Sequence, residues 1–92
     1  MNKCVRISVF KNLDDKFLKN SVQKHAQKLN LEGFSQQVED ENYKIIVNGT
    51  KENVDKFIDL LHKDFIDLDI QDFEIEPFLK DKDYRGVFRI IQ

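Results

Sequence analysis

Cysteine, proline and glycine are scarce in this chain: one, one and three residues among 92. The single cysteine, Cys4, cannot close an internal disulfide, so a reducing compartment is expected and a disulfide scaffold is excluded. Long apolar runs are missing as well. No stretch approaches the roughly 18 residues that a membrane span requires. Met1 to Phe10 alternates where a signal peptide would carry a continuous apolar core. Basic charge is not in excess: 15 Lys and Arg stand against 17 Asp and Glu, a formal net charge of -2. Nucleic acid, which wants a basic face, is therefore not an expected partner. His25 and His62 sit apart among polar neighbours, without metal-ligand spacing, and read as surface residues. Neither a metal nor another cofactor is expected. What remains is a soluble cytoplasmic chain, one domain over residues 1–92, whose 40% hydrophobic content supports a modest core.

The apolar periodicity organises that core. Val5, Ile7 and Val9 alternate with Arg6, Ser8 and Phe10, the period of a strand. Leu18, Val22, Ala26 and Leu29 fall at steps of four, four and three, on one helical face. Asn30 and Gly33 bracket the helix exit. Phe34 to Val38 and Tyr43 to Asn48 read as a hairpin joined by "EDEN". Thr50 is placed to cap a second helix whose apolar face is Val54, Phe57, Ile58, Leu61 and Phe65. Leu68, Ile70, Phe73 and Ile75 suggest a fourth strand, with a bulge or twist expected at Asp72 and an end at Pro77. A loop, "FLKDKDYRG", leads to a last strand from Val87 to Ile91. Phe34, Phe57, Phe73 and Phe88 are expected in the core. The order predicts an α+β, ferredoxin-like split βαββαβ sandwich: an antiparallel sheet, two helices on one face, and a short fifth strand.

The turn after the first strand, "VFKNLDDKFLK" at Val9–Lys19, contains no glycine. Strand-to-helix turns make anion cradles because the first helical amides are unpaired. This turn instead carries Lys11, Asn12, Leu13, Asp14, Asp15, Lys16, Phe17 and Leu18. Over essentially its whole length the chain resembles the acylphosphatase family, whose members read V-x-G-x-V-Q-G-V-G-F-R at these positions. "AQKLNLEG" supplies the family's alanine, leucines and glycine as Ala26, Leu29, Leu31 and Gly33. "FSQQVEDE" stands where the family has an aromatic and V-x-N-x-x-D-G. Gly49, Val54, Phe57, Phe88 and Ile90 complete the architectural pattern. The G-P usual after the second helix is replaced by "DFID".

That resemblance implies hydrolysis of the mixed anhydride between a carboxylate and phosphate, without metal or cofactor. Loop amides and an arginine would hold the phosphoryl group, and an asparagine would position water. Here the arginine position is Lys19 and the asparagine position is Gln37. Three loop glycines have become Lys11, Asp15 and Phe17. Lysine keeps the charge but loses the planar fork that grips two oxygens. Glutamine adds a methylene, a displacement of something like ~1 Å that can cost about 100-fold in rate. Side chains at the glycine positions oppose the positive φ that lets amides converge on an anion.

The expected function is thus an acylphosphatase-like protein with impaired or no activity. It would take an acyl phosphate or inorganic phosphate if the loop is competent. The alternative is a non-catalytic protein- or ligand-binding domain on the same scaffold, for which the sequence names no partner. Asp14 or Asp15 is expected to cap the first helix and fill the anion's place. Plainer readings stand beside these. Lys19 is a solvated helix residue, and Gln37 lies on a strand's exposed face. Cys4 is a structural or edge thiol. The acidic series Asp59, Asp64, Asp67, Asp69, Asp72, Glu74 and Glu76 is a solvated face. "YRGVFRI" is similar to an RNA-recognition strand but sits in the last strand, whereas that module needs it in the third.

Overall fold

A computed structural model describes residues 1–79 and 84–91. Its strands are β1 (Asn2–Val9), β2 (Glu32–Glu39), β3 (Asn42–Thr50), β4 (Phe73–Pro77) and β5 (Phe88–Ile91). They form one sheet in the order β4-β1-β3-β2-β5. The first helix, α1, is built from three contiguous pieces: Asp15–Phe17, a π segment Leu18–Gln23, and Lys24–Lys28. The second, α2, spans Lys51–Asp67. Among the described residues no helix is long and apolar enough to cross a membrane.

Alternation along β1 sorts the two faces of the sheet. Val5, Ile7 and Val9 are buried toward the helices, in register with Val47, Ile45 and Tyr43 of β3. The helices answer with Leu18, Val22 and Ala26 from α1 and Val54, Phe57, Leu61 and Phe65 from α2. His25 is no free surface residue. Its Nε2 lies 3.0 Å from Asp64 Oδ2, and the half-buried pair ties α1 to α2.

Three expectations need correction. The sheet is mixed, because β5 runs parallel to β2 with Phe88 opposite Gly33. The fourth strand starts only at Phe73. Leu68 and Ile70 belong to the exit of α2, where Asp69 takes φ 56°, Ile70 N–H donates to Phe65 O and Asp69 N–H to Ile66 O. This double bond pattern satisfies the last carbonyls of the helix. The same device ends α1, with Asn30 at φ 55°, Leu31 N–H donating to Ala26 O and Asn30 N–H to Gln27 O. The bulge is not at Asp72; the register slips in β2 between Gln37 and Glu39. Phe34 is buried as expected, outside the main cluster. With Ile46 and Tyr84 it forms a second cluster on the helix-free face, joined by Cys4 and Phe78. Phe73 is half-buried at the margin of the main core. The expected loop at 78–86 lies partly outside the described residues.

Gly33 is dictated by β3 beside it. Its φ is +142°, and a Cβ there would sit 1.9 Å from Ile46 O. At Gly49 an added Cβ would meet Leu31 Cδ2 at 2.5 Å. Thr50 caps α2 as expected, its Oγ1 accepting from Asn53 N–H at 3.2 Å. At the same end, Asp55 accepts from Lys3 at 2.8 Å and from Lys51 at 2.9 Å, joining β1 to α2. The hydrogen bond from Lys3, then that from Lys51, holds the Asp55 carboxyl below its ordinary value.

Two predictions follow from these contacts. Gly33→Ala is expected to lower unfolding stability by about 3 kcal/mol, read from the urea midpoint, because strain and collision act together. For Asp55 the folded value is the lower one. Its stabilisation is therefore complete above the ordinary value of 3.8 and is lost as the pH falls through the folded value. Urea titrations between about pH 6 and pH 2 should show wild type losing its advantage over Asp55→Asn toward the acid end.

Candidate functional site

Antiparallel pairing brings three chain segments to one end of the sheet. Val9, the last residue of β1, faces Tyr43 near the start of β3, and Tyr43 faces Gln37 near the end of β2. The turn from β1 to α1 therefore lies beside the hairpin of β2 and β3. Gln37 stands in the row that faces the helices, not on the opposite face, yet it is exposed because it lies at the end of its strand.

The turn is anchored at each step. Phe10 N–H donates to Asp72 O at 2.9 Å, carrying the β1–β4 edge one residue further. Lys11 Nζ reaches Leu68 O at 3.4 Å, at the exit of α2. Asn12 Oδ1 accepts from Glu41 N–H at 3.2 Å and fastens the turn to the hairpin tip. Leu13 is buried in the main core. Asp14 is the N-cap, its Oδ1 accepting from Phe17 N–H at 2.7 Å, while Asp14 O accepts from Leu18 N–H at 3.1 Å. The ring of Phe17 packs against Phe65, with centroids 6.3 Å apart. One residue thus has both its amide and its side chain committed within the protein.

Of the expected site residues, the structure brings Asp15, Leu18 and Gln37 together. They line a surface cleft of about 210 Å³ with Tyr43, Ile90 and Ile91. Lys19 is exposed on the π segment and is not part of the cleft wall. Lys11, Asn12, Asp14 and Lys16 are exposed around the turn. Tyr43, Ile90 and Ile91 were not expected at the site. Tyr43 could have been found from the hairpin, since a short turn places it opposite Gln37. The β5 residues could not, because their place depends on a parallel pairing that no local pattern announces. Gln23 Nε2 donates to Phe88 O at 3.4 Å and helps hold that strand beside α1.

Chemically, the cleft offers one carboxylate, one amide, one phenol and three aliphatic side chains. Among the described residues no group of three or more His, Cys, Asp or Glu could hold a metal. The cap gives a direct prediction. Asp14→Ala removes the acceptor of the Phe17 amide and should cost about 1 kcal/mol of stability by thermal or urea melting. Asp14→Asn should retain most of it.

Comparison with known proteins agrees with this fold. A family model for acylphosphatase matches residues 15–90. Among solved structures, an acylphosphatase from Bacillus subtilis aligns with a TM-score of 0.75 at 17% identity, covering 100% of each chain. An acylphosphatase from Coxiella burnetii aligns with a TM-score of 0.72 at 17% identity, covering 98% of this chain and 93% of that one. HypF from T. kodakarensis matches with a TM-score of 0.72 at 18% identity, over 100% of this chain but 12% of HypF. No curated protein sequence matches the chain.

Proposed function

The chain belongs to the acylphosphatase family, and from that premise we propose that it is a member whose phosphate cradle is closed from within, leaving little or no hydrolysis of acyl phosphates. One observation carries the reading: Asp14 Oδ1 accepts from Phe17 N–H at 2.7 Å, and Phe17 stands at a loop position where the resemblance implies glycine. A carboxylate hydrogen-bonded to that amide satisfies the donor that an incoming phosphate would use. A dianion brought to the same place would meet the charges of Asp14 and Asp15 within a few ångströms, and like charges repel.

The two side-chain positions weaken the chemistry further. Lys19 contributes a point charge without a bidentate grip, and its exposure leaves it solvated. Gln37 is on the cleft wall, where its amide can still hold water. That placement favours one second reading: a slow hydrolase in which Gln37 positions water and Lys19 swings in as anchor. Phosphoryl transfer rests on position and electrostatics, so a misplaced anchor and a filled cradle multiply each other's cost. The closed cradle is the stronger reading. It describes a cytoplasmic domain that kept the scaffold and now binds something other than phosphate.

Benzoyl phosphate hydrolysis decides between the two. Wild type and Lys19→Arg/Gln37→Asn are both expected to remain at the spontaneous rate, because restoring two side chains does not reopen the loop. Wild-type turnover that Lys19→Ala abolishes would establish the slow hydrolase and defeat the closed cradle.

A further inference from the structure

The cleft that the family would turn toward an anion has the opposite polarity here. Of its six wall residues, only Asp15 is charged; Gln37 and Tyr43 are polar, and Leu18, Ile90 and Ile91 are aliphatic. The ion pairs among the described residues do not include Asp15. Lys19, four residues on and at the usual helical distance for a partner, makes no bond to it. Lys11 is drawn toward Leu68 O instead. The hairpin tip adds exposed Glu39, Asp40 and Glu41, and the bond from Glu41 N–H to Asn12 holds it against the turn.

We propose that this cleft binds a small organic cation: an alkylammonium or guanidinium head on an apolar stem, the head on Asp15 and the stem between Leu18, Ile90 and Ile91. The inference rests on the closed cradle, since a turn that captured phosphate would cover the same wall. Size supports it. At about 210 Å³ the cleft is smaller than the roughly 300–1,000 Å³ of ordinary small-molecule pockets. It fits one side chain or a short amine. The amide of Gln37 and the hydroxyl of Tyr43 can accept hydrogen bonds from the head, and each N–H of an ammonium needs an acceptor. A bare metal ion fits less well, because one carboxylate on an aliphatic wall supplies too few oxygens for it.

The test is a backbone-amide NMR titration of the full chain with butylammonium, butan-1-ol, inorganic phosphate and a capped Gly-Lys-Gly peptide. Butylammonium is expected to shift the amides of Asp15, Leu18, Gln37 and Tyr43 in a saturable way. Butan-1-ol should bind about three- to five-fold more weakly, the effect of one exposed ion pair. Asp15→Asn should remove that difference, and raising the salt should shrink it. If Asp15→Asn disturbs folding, the salt dependence of wild type carries the same decision. Binding of the peptide as tightly as the free amine would identify a protein side chain as the ligand source; binding of the amine alone would identify a free metabolite. Equal binding of the amine and the alcohol overturns the proposal, as does silence from both. If phosphate leaves the turn undisturbed while both are silent, the closed cradle stands and only the cation site falls. If phosphate shifts residues 11–17, both readings fall together.

Discussion

The antiparallel pairing of β1 with β3 is the constraint on which everything else depends. It joins residues more than 30 positions apart, from Asn2 opposite Thr50 to Val9 opposite Tyr43. It also places Val5, Ile7, Ile45 and Val47 on one face, where the helices can cover them. Loop-closure entropy must be overcome before such a contact is made, and an apolar row repays it at once. The remaining strands add to this pair on either side. The site is a by-product: the end of β1 and the end of β2 meet at one end of the sheet because β3 runs against both.

On the proposed reading, scaffold and chemistry have separated in this chain. The positions that the fold needs are filled as it needs them, with Gly33 under a strand carbonyl, Gly49 against Leu31, and Thr50 as a cap. Residues of the turn after β1 serve the structure as well. Phe17 packs on Phe65, Leu13 enters the core, and Asp14 caps the helix. Each of these is a local gain in stability. An amide left open for a ligand is an unsatisfied donor, and a cap that closes it satisfies that donor.

The main core could be read from periodicity because burial on one face imposes a period on the residues that make it. Leu18, Val22 and Ala26 and the matching face of α2 show this directly. The same logic misled at Leu68 and Ile70. Their spacing of two imitates a strand, whereas Ile70 is buried by the helix-ending turn at Asp69 and Leu68 is exposed. Phe34 shows a second limit: aromatic character predicts burial but not which face of the sheet will provide it. At the site, Asp14, Asp15 and Gln37 were legible because they are adjacent in sequence to a turn or aligned to a family position. The wall formed by β5 was not, since a parallel edge strand is placed by tertiary contacts alone.

That edge strand has a consequence for how the cleft behaves over time. β5 has four residues and, among the described residues, pairs within the sheet only with β2, through Gly33 to Gln36. Its detachment would leave the other four strands paired, so it can open by a sub-global excursion with a free energy below that of complete unfolding. Ile90 and Ile91 would leave the cleft in that excursion, and the wall would go while the turn and Gln37 stayed in place. Occupancy of the cleft is therefore linked to the docking of one short strand: a bound ligand would slow hydrogen exchange in β5 before it changed the stability of the whole chain.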